Sequence, residues 1–139
     1  MDLVIKKVTS KKELRLFTEL TRRLYKENPY YVHPIYTDKR KFLDPSKGVF
    51  FEFGTAEYFM AYLHHQPVGR IAAHVDSRYE KYHDNDSGFF GFYECIDEQN
   101  VANALLNKAE QWLAERGKSR MVGPMSFTLY DESSFLYKG

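Results

Sequence analysis

Hydrophobic positions recur with two different periods along this chain, and the switches between them mark its elements. Leu3, Ile5 and Val8, with lysines between, predict a short opening strand. Ser10 and Glu13 then stand at capping-box spacing. Leu14, Phe17, Leu20 and Leu24 follow at three- and four-residue steps, which predicts an amphipathic helix that Asn28-Pro29 terminates. Residues 29–54 combine prolines that interrupt regular structure with too much aromatic area for a solvated linker, so packed loop with room for one short helix is expected. Residues 57–65 and 67–76 alternate with period two about a turn at Gln66, a β-hairpin with Ile71, Ala73 and Val75 on one face and Arg70, Ala72 and His74 on the other. A polar stretch, 77–87, leads to GFFGFYECI at 88–96, a strand apolar on both faces and therefore central. Asp97 is the expected N-cap of a helix whose stripe runs through Val101, Ala102, Leu105, Leu106, Ala109, Trp112 and Leu113, with stop signals at Arg116 and Gly117. A last strand at 121–127 completes a strand, helix, strand unit, which implies parallel pairing through a right-handed crossover.

Composition narrows the class. At 139 residues the chain fits a single domain, 1–139, and its 17% aromatic content promises a ring-rich core rather than disorder. Twenty basic side chains against nineteen acidic ones leave net charge +1, so no global field gathers nucleic acid or anionic lipid, and neither is expected as a partner. The lone Cys95 makes no internal disulfide and has no CxxC partner, which points to a reducing compartment. No apolar run reaches the ~20 residues that span a bilayer or forms a signal-peptide core, so the expectation is a cytoplasmic protein without membrane contact.

The segments NPYYVHP, FLDPSKGVFF, PVGRIAAHVD, YHDNDSGFFGFYECID, WLAERG and GPMSFTLYDE, in this element order, resemble a bacterial subfamily of GNAT-type acyltransferases over almost the whole chain. The resemblance implies an α/β (α+β) fold: a mixed sheet, mainly antiparallel, with one parallel pair after the long helix, and incomplete at the C-terminus. It implies acetyl-CoA or another acyl-CoA as co-substrate, lying in a splayed gap between strands 88–96 and 121–127. Its pantetheine arm would pair with backbone at Phe92, Tyr93, Glu94, Cys95 and Ile96, and its diphosphate would rest on helix-start amides near Asn100, where unpaired N–H groups and the dipole favour an anion. Glu94 falls where some members keep the glutamate that takes a proton from the acceptor amine, a small molecule or other amine.

Two departures stand against that pattern. The family's glycine-rich diphosphate loop is replaced by Cys95-Ile96-Asp97-Glu98-Gln99-Asn100, whose two carboxylates oppose an anionic ligand. The chain also stops before the last helix and strands of the fold, so the edge at 121–127 is expected to self-associate into a homodimer or larger species. Other constellations are weaker. Asp84-Asn85-Asp86-Ser87-Gly88 matches the start of a calcium loop, but Gly88 replaces a ligand and Cys95 stands where the bidentate glutamate belongs, so a turn held by side-chain to backbone bonds is expected and no metal is assigned. Tyr30, Tyr31, His33 and Tyr36 either wall an acceptor pocket or pack their loop onto the sheet. His64-His65 reads as an exposed turn, and Ser126 lacks the setting of a serine nucleophile. Two functions follow: an acyl-CoA-dependent N-acyltransferase with Glu94 as base, or a GNAT-derived module that binds a ligand or partner without transfer chemistry.

Overall fold

The computed structural model describes residues 2–30 and 36–125. A five-stranded mixed sheet runs in the order β1 (Leu3–Lys7), β2 (Gly54–Leu63), β3 (Gln66–Asp76), β4 (Ser87–Cys95), β5 (Arg120–Val122). The first four strands pair antiparallel, and β5 pairs parallel with β4 from Ser87 to Phe89. The central position of 88–96 and the parallel crossover are as the patterning implied. The last strand is shorter than expected, and Ser126 and Phe127 lie outside the described residues.

Alternation on β3 divides the core in two. Ala72 joins Leu14, Phe17 and Leu20 of α1 (Lys11–Leu24) and Leu43 of α2 (Tyr36–Leu43) on one face of the sheet. Ile71 and Ala73 meet Val101, Leu105, Ala109, Trp112 and Leu113 of the helix Gln99–Ala114 on the other. Ser10 caps α1 as the spacing foresaw: its hydroxyl accepts from Glu13 N at 3.1 Å, while Oε1 of Glu13 accepts from the Thr9 amide at 2.9 Å.

The hairpin turns at His64-His65, the exposed turn that the sequence suggested, and Gln66, expected in the turn, instead pairs with Leu63; both histidines are left-handed, φ 50° and 66°, the geometry of a two-residue turn that matches strand twist. The polar stretch, to which the patterning assigned no helix, contains the helix α3 (Ser77–Tyr82), because Asp76 accepts from the amides of Arg78 and Tyr79. The long helix, α4, is capped at Glu98 rather than Asp97, and no side chain closes the cap. Beyond α3 the Asx turn is as expected, Asp84 accepting from the amides of Asp86 and Ser87 at 2.9 Å each.

The strained turn yields a test. Left-handed backbone costs a non-glycine residue roughly 1–2 kcal/mol, so His64→Asn with His65→Gly is expected to raise unfolding stability by about 1 kcal/mol in urea titration.

Candidate functional site

The site is built on an irregularity in β4. Register places Gly91 opposite Ala72 and Glu94 opposite Arg70, so Phe92 and Tyr93 together face the single residue Ile71. This is a β-bulge, and Phe92 takes φ +49° to make it. A buried arginine holds the distortion: Arg70, 8% exposed, donates from Nε to Phe92 O at 2.9 Å and from Nη1 to Phe17 O at 2.7 Å. Its guanidinium also lies over the Phe17 ring, 5.1 Å from the centroid. One side chain therefore ties the bulge to the middle of α1.

Past the bulge, side chains divide between the two faces. Phe92 packs into the core under α1 and α2, whereas Tyr93, Cys95 and Ile96 pack against the core under α4. Burial, with the Cys95 thiol 3.4 Å from the hydroxyl, pushes Tyr93 well above the usual phenol range, so it stays protonated. Glu94 is half-buried, and its Oε2 accepts a short hydrogen bond from the Tyr25 hydroxyl at the C-cap of α1. The bulge thus delivers Glu94 to the end of α1, where a phenol fixes the carboxylate.

On its other side β4 pairs with β5. The parallel ladder ends at Phe89, and Gly123 passes so close that a Cβ there would sit 2.5 Å from Phe90 O. Met125 N donates to the same carbonyl at 2.8 Å, and from Gly91 onward no described residue continues the pairing on that edge. The gap expected between residues 88–96 and 121–127 involves residues 126 and 127, which lie outside the described residues. At its far end, α4 begins with Gln99 and Asn100, whose amides have no intrahelical acceptor, flanked by exposed Asp97 and half-buried Glu98.

The expected residues therefore do not form one cluster of side chains. Phe92, Tyr93, Glu94, Cys95 and Ile96 share a strand edge, Glu94 alone among them carries a carboxylate, and Asn100 stands at the helix start. Of the loop aromatics, Tyr30 is 90% exposed, and Tyr36 opens α2 beneath the Arg22 guanidinium, 4.4 Å from the ring centroid. Tyr31 and His33 lie outside the described residues. Sequence reasoning missed Tyr25 and the anchoring role of Arg70. An arginine in the otherwise apolar strand PVGRIAAHV was the available signal for the latter.

The comparisons bear on this arrangement. No family model matches the chain. The structure is similar to an aminoglycoside acetyltransferase from an uncultured soil metagenomic sample in complex with sisomicin, with TM-score 0.62 and 17% identity over 87% of this chain and 76% of that one. It is also similar to a predicted acetyltransferase with acetyl-CoA from Clostridium acetobutylicum, with TM-score 0.61 and 12% identity over 99% and 96% of the two chains. The chain has a GNAT-like fold. Among curated proteins it is 29% identical to Protein YghO of Escherichia coli over 98% of its length, and 30% identical to Bacterial ceramide synthase of Caulobacter vibrioides over 99%. It spans 35% and 36% of those relatives. Among the described residues no helix is long and apolar enough to cross a membrane.

Proposed function

We propose that this chain carries the donor strand and general base of an acyl-CoA-dependent N-acyltransferase. The observation that carries the reading is the placement of Glu94: one step past a bulge locked by Arg70, on the strand that pairs in parallel with β5, with its carboxylate oriented by Tyr25. The backbone at Phe92 to Ile96 would hold the pantetheine arm, and the first-turn amides at Gln99 and Asn100 would meet the diphosphate. Acyl-CoA supplies the thioester. Glu94 takes a proton from the acceptor amine, whose nitrogen attacks the thioester carbonyl. The C–N bond forms, the C–S bond breaks, and the departing thiolate takes a proton from solvent, leaving an amide and free CoA.

An amine acceptor is supported from two sides. One structural neighbour is an aminoglycoside acetyltransferase, and one curated relative is named for making a ceramide, chemically an N-acylated amino alcohol. Asp97 and Glu98 favour the second reading, a module that binds without transfer, because they set two carboxylates at the helix start.

That opposition has a measurable size. Acetyl-CoA is expected to bind with a dissociation constant no tighter than roughly 100 µM, about −5.5 kcal/mol. Asp97→Asn with Glu98→Gln is expected to tighten it several-fold in low-salt calorimetry, where screening does not mask the effect. Low-micromolar binding by the unaltered chain would remove electrostatics as the obstacle. The transfer reading itself is tested by incubating the protein with acetyl- and long-chain acyl-CoA and a panel of amines, following free thiol and the mass of the N-acylated product. Saturable CoA binding without any amide product, across donors and acceptors, would leave the binding module.

A further inference from the structure

The charge balance of the whole chain conceals a local asymmetry. A groove of about 680 Å³ runs between the N-terminal part of α1 and the α2 segment, walled by Lys11, Lys12, Arg15, Arg40, Lys41 and Lys47. Only two carboxylates, Asp38 and Asp44, line it with them, so its wall carries a formal +4 in a chain of net charge +1. Asp44 is already engaged: its Oδ1 accepts from the amide and hydroxyl of Ser46 at 2.9 and 2.7 Å. Arg15 pairs with Glu19 at 2.8 Å, but the other five cations form no ion pair among the described residues. The first-turn amides of α1, at Lys11 and Lys12, have no intrahelical acceptor and stand at the positive end of a 14-residue helix.

The groove is separate from the candidate catalytic site. Glu94 is bonded at the C-cap of α1, whereas the groove's wall on that helix ends at Arg15, about 15 Å away by helix rise. The start of α4, where a CoA diphosphate would sit, is under the opposite face of the sheet. Concentrating unpaired like charge in a concavity is unfavourable without a counter-charge, and a concavity of this volume admits a discrete ligand.

We propose that this groove is a binding site for a multiply phosphorylated group, held by Lys11, Lys12, Arg40, Lys41 and Lys47 and the α1 amides. Phosphate suits it because several closely spaced anionic oxygens can meet dispersed ammonium and guanidinium donors together. The source is either a free polyphosphorylated small molecule or a phosphorylated lipid headgroup.

The test uses inorganic tripolyphosphate in calorimetry at low ionic strength. Lys11→Gln/Lys12→Gln/Lys41→Gln alters three exposed side chains without ion pairs. It is expected to weaken binding at least ~10-fold, a change of about 1.4 kcal/mol on the affinity scale. Lys6→Gln/Lys26→Gln/Lys81→Gln removes the same charge from exposed positions elsewhere and is expected to change it less than ~2-fold. Equal effects of the two triples, or no binding of tripolyphosphate below ~1 mM, would overturn the site. Sedimentation with phosphatidic-acid vesicles separates the sources: binding that tripolyphosphate displaces assigns a lipid headgroup, and no vesicle binding beside tight tripolyphosphate assigns a free ligand. Vesicle binding indifferent to tripolyphosphate and to the groove triple counts against the proposal. None of these readouts involves acyl transfer, so failure here leaves the reading of Glu94 untouched.

Discussion

Replacing Glu94 by glutamine is expected to lower the rate of amide formation by about 10²-fold or more, the usual contribution of a positioned general base. Glutamine keeps the size of the side chain and still offers an oxygen to the Tyr25 hydroxyl, so the end of α1 stays anchored and stability is expected to change by less than about 0.5 kcal/mol. What it loses is the capacity to accept a proton. The fall should therefore appear in kcat, with the KM for acyl-CoA little altered, because the donor is held by backbone rather than by this carboxylate. Tyr25→Phe is expected to fall between wild type and Glu94→Gln, since the base survives but its orientation loosens. Equal kcat values for Glu94→Gln and wild type would remove Glu94 from the chemistry.

The second large effect is structural. Arg70→Met keeps the stem of the side chain but removes the buried donor to the carbonyls of Phe92 and Phe17, the first of them at the left-handed residue of the bulge. A buried acceptor left without its donor costs ~1–3 kcal/mol, partly offset by relief from burying a charge. A net loss of about 2–3 kcal/mol in urea unfolding is expected. Because the bulge aims Glu94, transfer should fall as well, and Arg70→Lys should recover less than half of either loss, since one ammonium cannot span both carbonyls. A fully stable and active Arg70→Met protein would show that β4 holds its bulge unaided.

These two residues also mark where the sequence was legible and where it was not. Hairpin, central strand, long helix and crossover follow from local periodicity, and each was readable because burial imposes a period on its own segment. The Glu94 position was readable only through the family resemblance. The bulge was hidden because it depends on register between strands: an extra residue at Phe92 leaves no mark in an already apolar run. Tyr25 and Glu94 are 69 residues apart and meet only once α1 is laid against the sheet. Helix α3 escaped because SRYEKY has no apolar stripe; its helicity comes from the Asp76 cap and from Tyr79 packed edge-on against Phe89. The basic groove was invisible to net charge for a plain reason: its cations come from α1 and from residues around α2, and acids elsewhere in the chain balance them in any count.

The central claim is that the acyl donor lies along the bulged edge of β4, and amide hydrogen exchange under saturating acetyl-CoA tests it most directly. Protection is expected at residues 91–96 and in the first turn of α4, at Gln99 and Asn100, with little change at Lys11 and Lys12. Protection confined to the α1–α2 groove, with residues 91–96 exchanging as in the free protein, would contradict it.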